Sequence, residues 1–161
     1  MIPTEIKIGH VFRYAYLWDR QSREGREEGD KDRPCLVLAI VAIEEDGARV
    51  VRVLPITHTS PADPTEAIEI PPRVKQRLGL DDERSWIVLT ESNRFTWPGP
   101  DLRPPPLATA DGYYGPLPPA LFDAVRRGFV ALARLHQLAG CGGANWLKLL
   151  ERDIKSRHYS L

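Results

Sequence analysis

The sequence predicts an α+β fold, mainly β with C-terminal helices: a small curled β-barrel and then helical chain. Three observations lead there. Short runs rich in β-branched and aromatic residues, separated by turn signals, occupy residues 9 to 97. Eight of the fifteen prolines then fall between Pro98 and Pro119, which excludes regular structure from most of that stretch. After Pro119 the apolar residues recur at helical spacing.

Taken in order, "GHVFRYAYLW" (9 to 18) reads as a first strand. "DRQSREGREEGDKD" (19 to 32) is polar throughout and reads as a long loop, a place where function often sits beside rigid strands. "PCLVLAIVAI" (34 to 43) has the continuous apolar character of a strand buried on both faces, and "ARVVRVLPI" (48 to 56) is the next. The Asp-Gly signal in "EEDG" between them predicts an antiparallel hairpin. "EAIEIPP" (66 to 72) alternates as a half-buried strand does, "RVKQRLGL" makes a short helix, and "RSWIVLTESNRFTW" (84 to 97) is a further strand. A helix over 119 to 138 places Leu121, Phe122, Val125, Phe129, Leu132 and Leu135 on one face, and Pro118 and Pro119 suit its first turn. "GCGG" breaks it before a last helix over 144 to 156 that carries Trp146, Leu149, Leu150 and Ile154. The organisation is therefore a barrel domain with its closing helix over 1–138 and a helical extension over 139–161.

Composition excludes several function classes. With 22 basic and 22 acidic residues among 161, the chain has no global field to attract nucleic acid, so any such contact needs a local patch. Cys35 and Cys141 form no CxxC pair, and a reduced, cytoplasmic setting suits them. The start has no signal-peptide pattern, and "CLVLAIVAI" is about half the length of a bilayer span, so no membrane association is expected. His10, His58, His136 and His158 lack ligand spacing, so neither a metal nor another cofactor is expected.

The stretch "KDRPCLVLAI" (31 to 40) raises the functional question. Arg33 precedes a proline and is pushed to extended geometry, while Pro34, lacking a donor, belongs at the start of a strand. Arg33 is thereby held at the lip of the sheet. Its hairpin partner follows from arithmetic: the midpoint of 33 and 57 falls at 45, inside the turn region. Thr57 should lie within a few residues of register, roughly 5–10 Å away at about 3.4 Å per residue. A planar guanidinium beside a small hydroxyl makes a phosphate grip. The alternative is an ordinary surface ion pair of Arg33 with Glu28, Asp30 or Asp32.

"KDRPCLVLAI" followed by "VVRVLPITHT" resembles the two signature strands of the MazF/PemK family of toxin endoribonucleases. "GHVFRYAYLW", "EGDKDRP", "SWIVLTESNRF" and "YGPLPPALFDAVRRGFVALARL" are similar to that family's first strand, acidic loop, late strand and closing helix, so the resemblance spans residues 7 to 135. It implies an SH3-like barrel, a homodimer, metal-independent cleavage of single-stranded RNA, and a small antitoxin partner. The family's arginine and threonine align with Arg33 and Thr57, its loop acid with Glu28, and its late-strand acid with Glu91.

Metal-free RNA cleavage needs a base for the 2′-OH, a cation for the phosphoryl oxygens and an acid for the leaving oxygen. Arg33 meets the second need and is a candidate for the third. Glu28, Glu91 and His58 are candidate bases, with His58 standing where the family often has a small hydroxyl residue. Trp18, Phe95 and Trp97 lie near predicted strand ends and are candidates for base stacking, with core packing as the alternative. Arg20, Arg23, Arg26, Lys31 and Arg94 are candidates for the local basic patch. A non-catalytic SH3-like module that binds a protein or nucleic acid through the same lip is the rival expectation. A metal hydrolase is a third, with less in the sequence to support it.

Overall fold

The structure, a computed structural model, describes residues 1–18, 24–25 and 31–138. Eight strands, two helices and one 3-10 turn make up its regular structure: β1 (His10–Tyr14), β2 (Arg33–Ile43), β3 (Arg49–Thr57), the turn (Pro64–Glu66), β4 (Ala67–Glu69), α1 (Pro72–Leu78), β5 (Trp86–Val88), β6 (Asn93–Thr96), β7 (Leu102–Arg103), β8 (Gly115–Pro116) and α2 (Pro119–Leu138). The strands form one antiparallel sheet in the order β4-β5-β3-β2-β1-β7, with β6 also on β3 and β8 also on β1. This is the α+β class expected. The path is open, because no pairing joins β4 to β7, so the sheet is not closed into the expected curled β-barrel by hydrogen bonds among the described residues.

β2 and β3 form the spine. Their turn places Gly47 at φ 85°, a conformation other residues rarely adopt, and the Gly47 N–H donates to the Glu44 carbonyl at 2.9 Å. Successive residues of β2 face opposite layers. Leu36 and Leu38 join Val11, Leu54, Ile56, Ile87 and the α2 residues Phe122, Val125 and Phe129. Cys35 and Val37 join Phe12, Tyr14, Tyr16, Val51, Val53, Trp97, Leu102 and Tyr113. The central strands thus have apolar layers on both faces, which is why "PCLVLAIVAI" is apolar without alternation.

One expectation is corrected. The single strand predicted over 84 to 97 is interrupted. Continuing the β3–β5 register from Ile56↔Ile87 would bring Thr90 opposite Val53, yet Asn93 stands there, so three extra residues bulge out between β5 and β6. The second edge of β3 changes partner at Leu54–Pro55, where Pro55 has no N–H to offer. The proline-rich connection lacks regular structure over most of its length, as expected, with two short exceptions. β7 and β8 are two-residue strands paired with β1.

The helix predicted over 119 to 138 is observed with those bounds. Of its apolar stripe, Phe122, Val125 and Phe129 are buried, whereas Leu135 is exposed. The last helix, the extension 139–161 and Cys141 lie outside the described residues. Cys35 is a free, buried thiol that burial pushes well up from its ordinary value. Among the described residues no helix is long and apolar enough to cross a membrane.

Candidate functional site

The register that the hairpin arithmetic anticipates is present at the site end of the spine. Cys35 pairs with Pro55 and Leu36 with Leu54. The pairing itself stops at Cys35–Pro55; carried two residues further, the same register would set Arg33 opposite Thr57. Irregularities between Val37 and Ala39 and between Ile40 and Ala42 shift the pairing only at the other end. Arg33 and Thr57 both line a cleft of about 450 Å³, together with Lys31, Asp32, His58, Lys75, Asp81 and Ser85.

Three observations define the surroundings of Arg33. Its guanidinium carbon lies 4.7 Å from the centre of the Trp18 ring, a cation–π contact. Its Nε is buried with no hydrogen-bond partner among the described residues. The neighbouring acid does not neutralise it: Asp32 instead approaches Arg13 at 3.5 Å and Arg103 at 3.6 Å. Trp18 is set in place from β6, because Asn93 accepts from the Leu17 N–H at 2.9 Å and donates to the Leu17 carbonyl at 2.7 Å. Thr57 Oγ1 accepts from the Thr59 N–H at 3.2 Å, a turn that bends the chain out of β3.

Below them lies a charged network on the loop after α1. Lys75 is 5% exposed, and its ammonium donates to Asp81 Oδ1 at 2.5 Å, to Ser85 Oγ at 2.7 Å and to the Glu83 carbonyl. The other oxygen of Asp81 meets His58 Nε2 at 2.7 Å, while His58 Nδ1 faces Glu83 Oε2 at 3.2 Å. Burial works to raise the Asp81 carboxyl, but the Lys75 ammonium and His58 outweigh it and hold the group below its ordinary value. α1 brings Lys75 inward: Val74 and Leu78 are buried beside it, and Gly79 ends the helix in the left-handed conformation at φ 69°, turning the chain toward Asp81.

The other expected site residues are dispersed. Glu28, Arg20, Arg23 and Arg26 lie outside the described residues. Glu91 stands in the bulge between β5 and β6, close enough to Tyr16 for its charge to act on that phenol, and does not line the cleft. Lys31 is an exposed lining residue of the cleft. Arg94 is exposed and pairs in register with Arg52, away from the cleft.

The stacking expectation is corrected for two of its three aromatics. Trp97 is 7% exposed and donates its Nε1–H to the Thr4 carbonyl at 3.1 Å. Phe95 is already stacked on Tyr14, with ring centres 4.8 Å apart. Core packing occupies both. Trp18 is half-buried and touches the cleft residue Arg33 without itself lining the cleft.

Sequence reasoning missed Lys75, Asp81 and Ser85. A lysine three residues before Leu78 and six before an aspartate is too common a pattern to have marked them.

No protein-family model matches the chain, and no curated protein shows significant similarity to it.

Proposed function

We propose that the chain is a metal-independent endoribonuclease that cuts single-stranded RNA at a short recurring sequence. In this reading it is a MazF/PemK-type growth-inhibiting toxin with an SH3-like barrel, acting in the cytoplasm as a homodimer restrained by a small antitoxin. One observation carries the proposal: Arg33, backed by Trp18, and Thr57 line one open cleft at the end of the spine, with His58 following directly.

The chemistry asks for little more. A phosphodiester in the cleft would receive the Arg33 fork on its non-bridging oxygens and the Thr57 hydroxyl on one of them. As the 2′-OH attacks, charge grows on those oxygens. A preorganised, partly desolvated guanidinium then stabilises the transition state more than the ground state. In this reading Trp18, in cation–π contact with the guanidinium, limits its rotation, and an unpaired base stacks beside it. Single-stranded RNA fits, because only an unpaired strand can splay a base toward that ring while its backbone enters the cleft.

The test is incubation of a long single-stranded RNA with wild-type protein and with Arg33→Ala in a chelator, the new ends being mapped. Cuts at one recurring motif, reduced about 100-fold or more in the variant, are expected from loss of one transition-state contact. A folded wild type that cuts nothing but binds RNA or protein at this lip would instead be the non-catalytic SH3-like module.

A further inference from the structure

Resting on the nuclease reading, we propose that His58 is the proton donor to the leaving oxygen, and that Asp81 is its positioning residue. The two ring nitrogens are held unequally. Nε2 meets Asp81 Oδ2 at 2.7 Å, and Asp81 is itself anchored by Lys75 at 2.5 Å. Lys75 spends all three of its donors on Asp81, Ser85 and the Glu83 carbonyl, so it serves as a fixed post, with no proton to offer substrate.

On the other side, Nδ1 faces Glu83 Oε2 at 3.2 Å, and the Glu83 side chain is 72% exposed. Both contacts are satisfied together when each ring nitrogen carries a proton. An exposed ion pair of this kind contributes at most about 1 kcal/mol, so an incoming phosphodiester oxygen can take the place of Glu83. Nδ1–H is thus the proton that turns to substrate while Asp81 keeps the ring in place.

The rival acid is weaker. A guanidinium does not release its proton in proteins, so Arg33 stabilises charge without serving as the acid. Glu91, outside the cleft, is not in reach.

The step balances as follows. The 2′ oxygen forms a bond to phosphorus and gives its proton to solvent water. The bond from phosphorus to the 5′ oxygen breaks, its electron pair stays on that oxygen, and His58 Nδ1 supplies the proton. The products are a 2′,3′-cyclic phosphate and a 5′-hydroxyl, and His58 regains its proton from solvent.

The test uses two RNAs that differ at the mapped linkage: one with the ordinary 5′ bridging oxygen, one with sulfur there. A thiolate leaves without needing a proton. Wild-type protein, His58→Ala and Asp81→Asn are compared in single turnovers, with their folds checked by circular dichroism. His58→Ala should slow the oxygen linkage by about 100-fold or more, within the range for general acid catalysis, and leave the sulfur linkage within about threefold of wild type. Asp81→Asn should show a smaller loss with the same selectivity, which a merely structural contact would not produce. Equal slowing of both linkages by His58→Ala, or no slowing of either, overturns the assignment. Failure of the wild type to cut either RNA overturns the nuclease reading itself, and this inference with it.

Discussion

An ammonium that is 5% exposed must find an acceptor for each of its protons, and Lys75 finds them in Asp81, Ser85 and the Glu83 carbonyl. Lys75→Met removes the charge but leaves the Ser85 hydroxyl and the Glu83 carbonyl without their donor. We expect a loss of about 2–4 kcal/mol in urea unfolding. The acid side of this contact sets a pH dependence. Asp81 has a depressed value in the folded state, so its contribution is present above the ordinary carboxylate value of 3.8 and is lost as pH falls through the folded value. The stability gap between wild type and Lys75→Met should therefore narrow in acid below that point. A gap that stays constant there would mean that Asp81 takes no part in it.

Residues differ in how far sequence reveals them. Arg33 and Thr57 are legible because a hairpin turn converts positions in the chain into positions in space. Lys75 is not legible, since "RVKQRLGLDDERS" reads as an exposed charged helix and loop. Only the inward face of α1 separates Lys75 from Arg73 and Arg77.

At the scale of elements, the turn at Gly47 and the bounds of α2 follow from local rules and could be read directly. The bulge between β5 and β6 could not. It arises because β3 changes partners at Pro55, a tertiary event that "SWIVLTESNRF" does not announce. The bulge sets Asn93 where both groups of its amide grip the Leu17 backbone. Asn93→Ala should cost about 1–2 kcal/mol by leaving those two backbone groups unpaired. It should also free Trp18 from Arg33, seen as a change in tryptophan fluorescence on titration with RNA. Unaltered stability and fluorescence would show that β6 does not position Trp18 against Arg33.

At the scale of the whole molecule, the sheet holds an apolar layer on each face, and the second layer is rich in buried phenols. Burial pushes Tyr14 and Tyr16 well up, and Tyr113 up to about 12, from the ordinary value of 10.0. A phenol with a raised value favours the fold fully below pH 10.0, and that contribution is lost as pH rises toward about 12. The thermal midpoint should fall over this interval together with the appearance of phenolate absorbance. Phenolate appearing at pH 10.0 with no change in midpoint would contradict the burial of these rings. The two-layered arrangement was legible in outline, from an apolar run without alternation. The open ends of the sheet were not, because edge pairing depends on where the proline-rich connection lies, and β7 and β8 have only two residues each.

In the proposed reaction the 2′-OH of the RNA is the attacking group and Arg33 the cation that stabilises its attack. The most direct measurement is end-group analysis of RNA cut in a chelator, with a second substrate that carries a single 2′-deoxy nucleotide at the mapped site. The expected result is a 2′,3′-cyclic phosphate and a 5′-hydroxyl on the ordinary substrate, and no cut at the deoxy position. Cleavage at the deoxy position, or products carrying a 5′-phosphate, would contradict it.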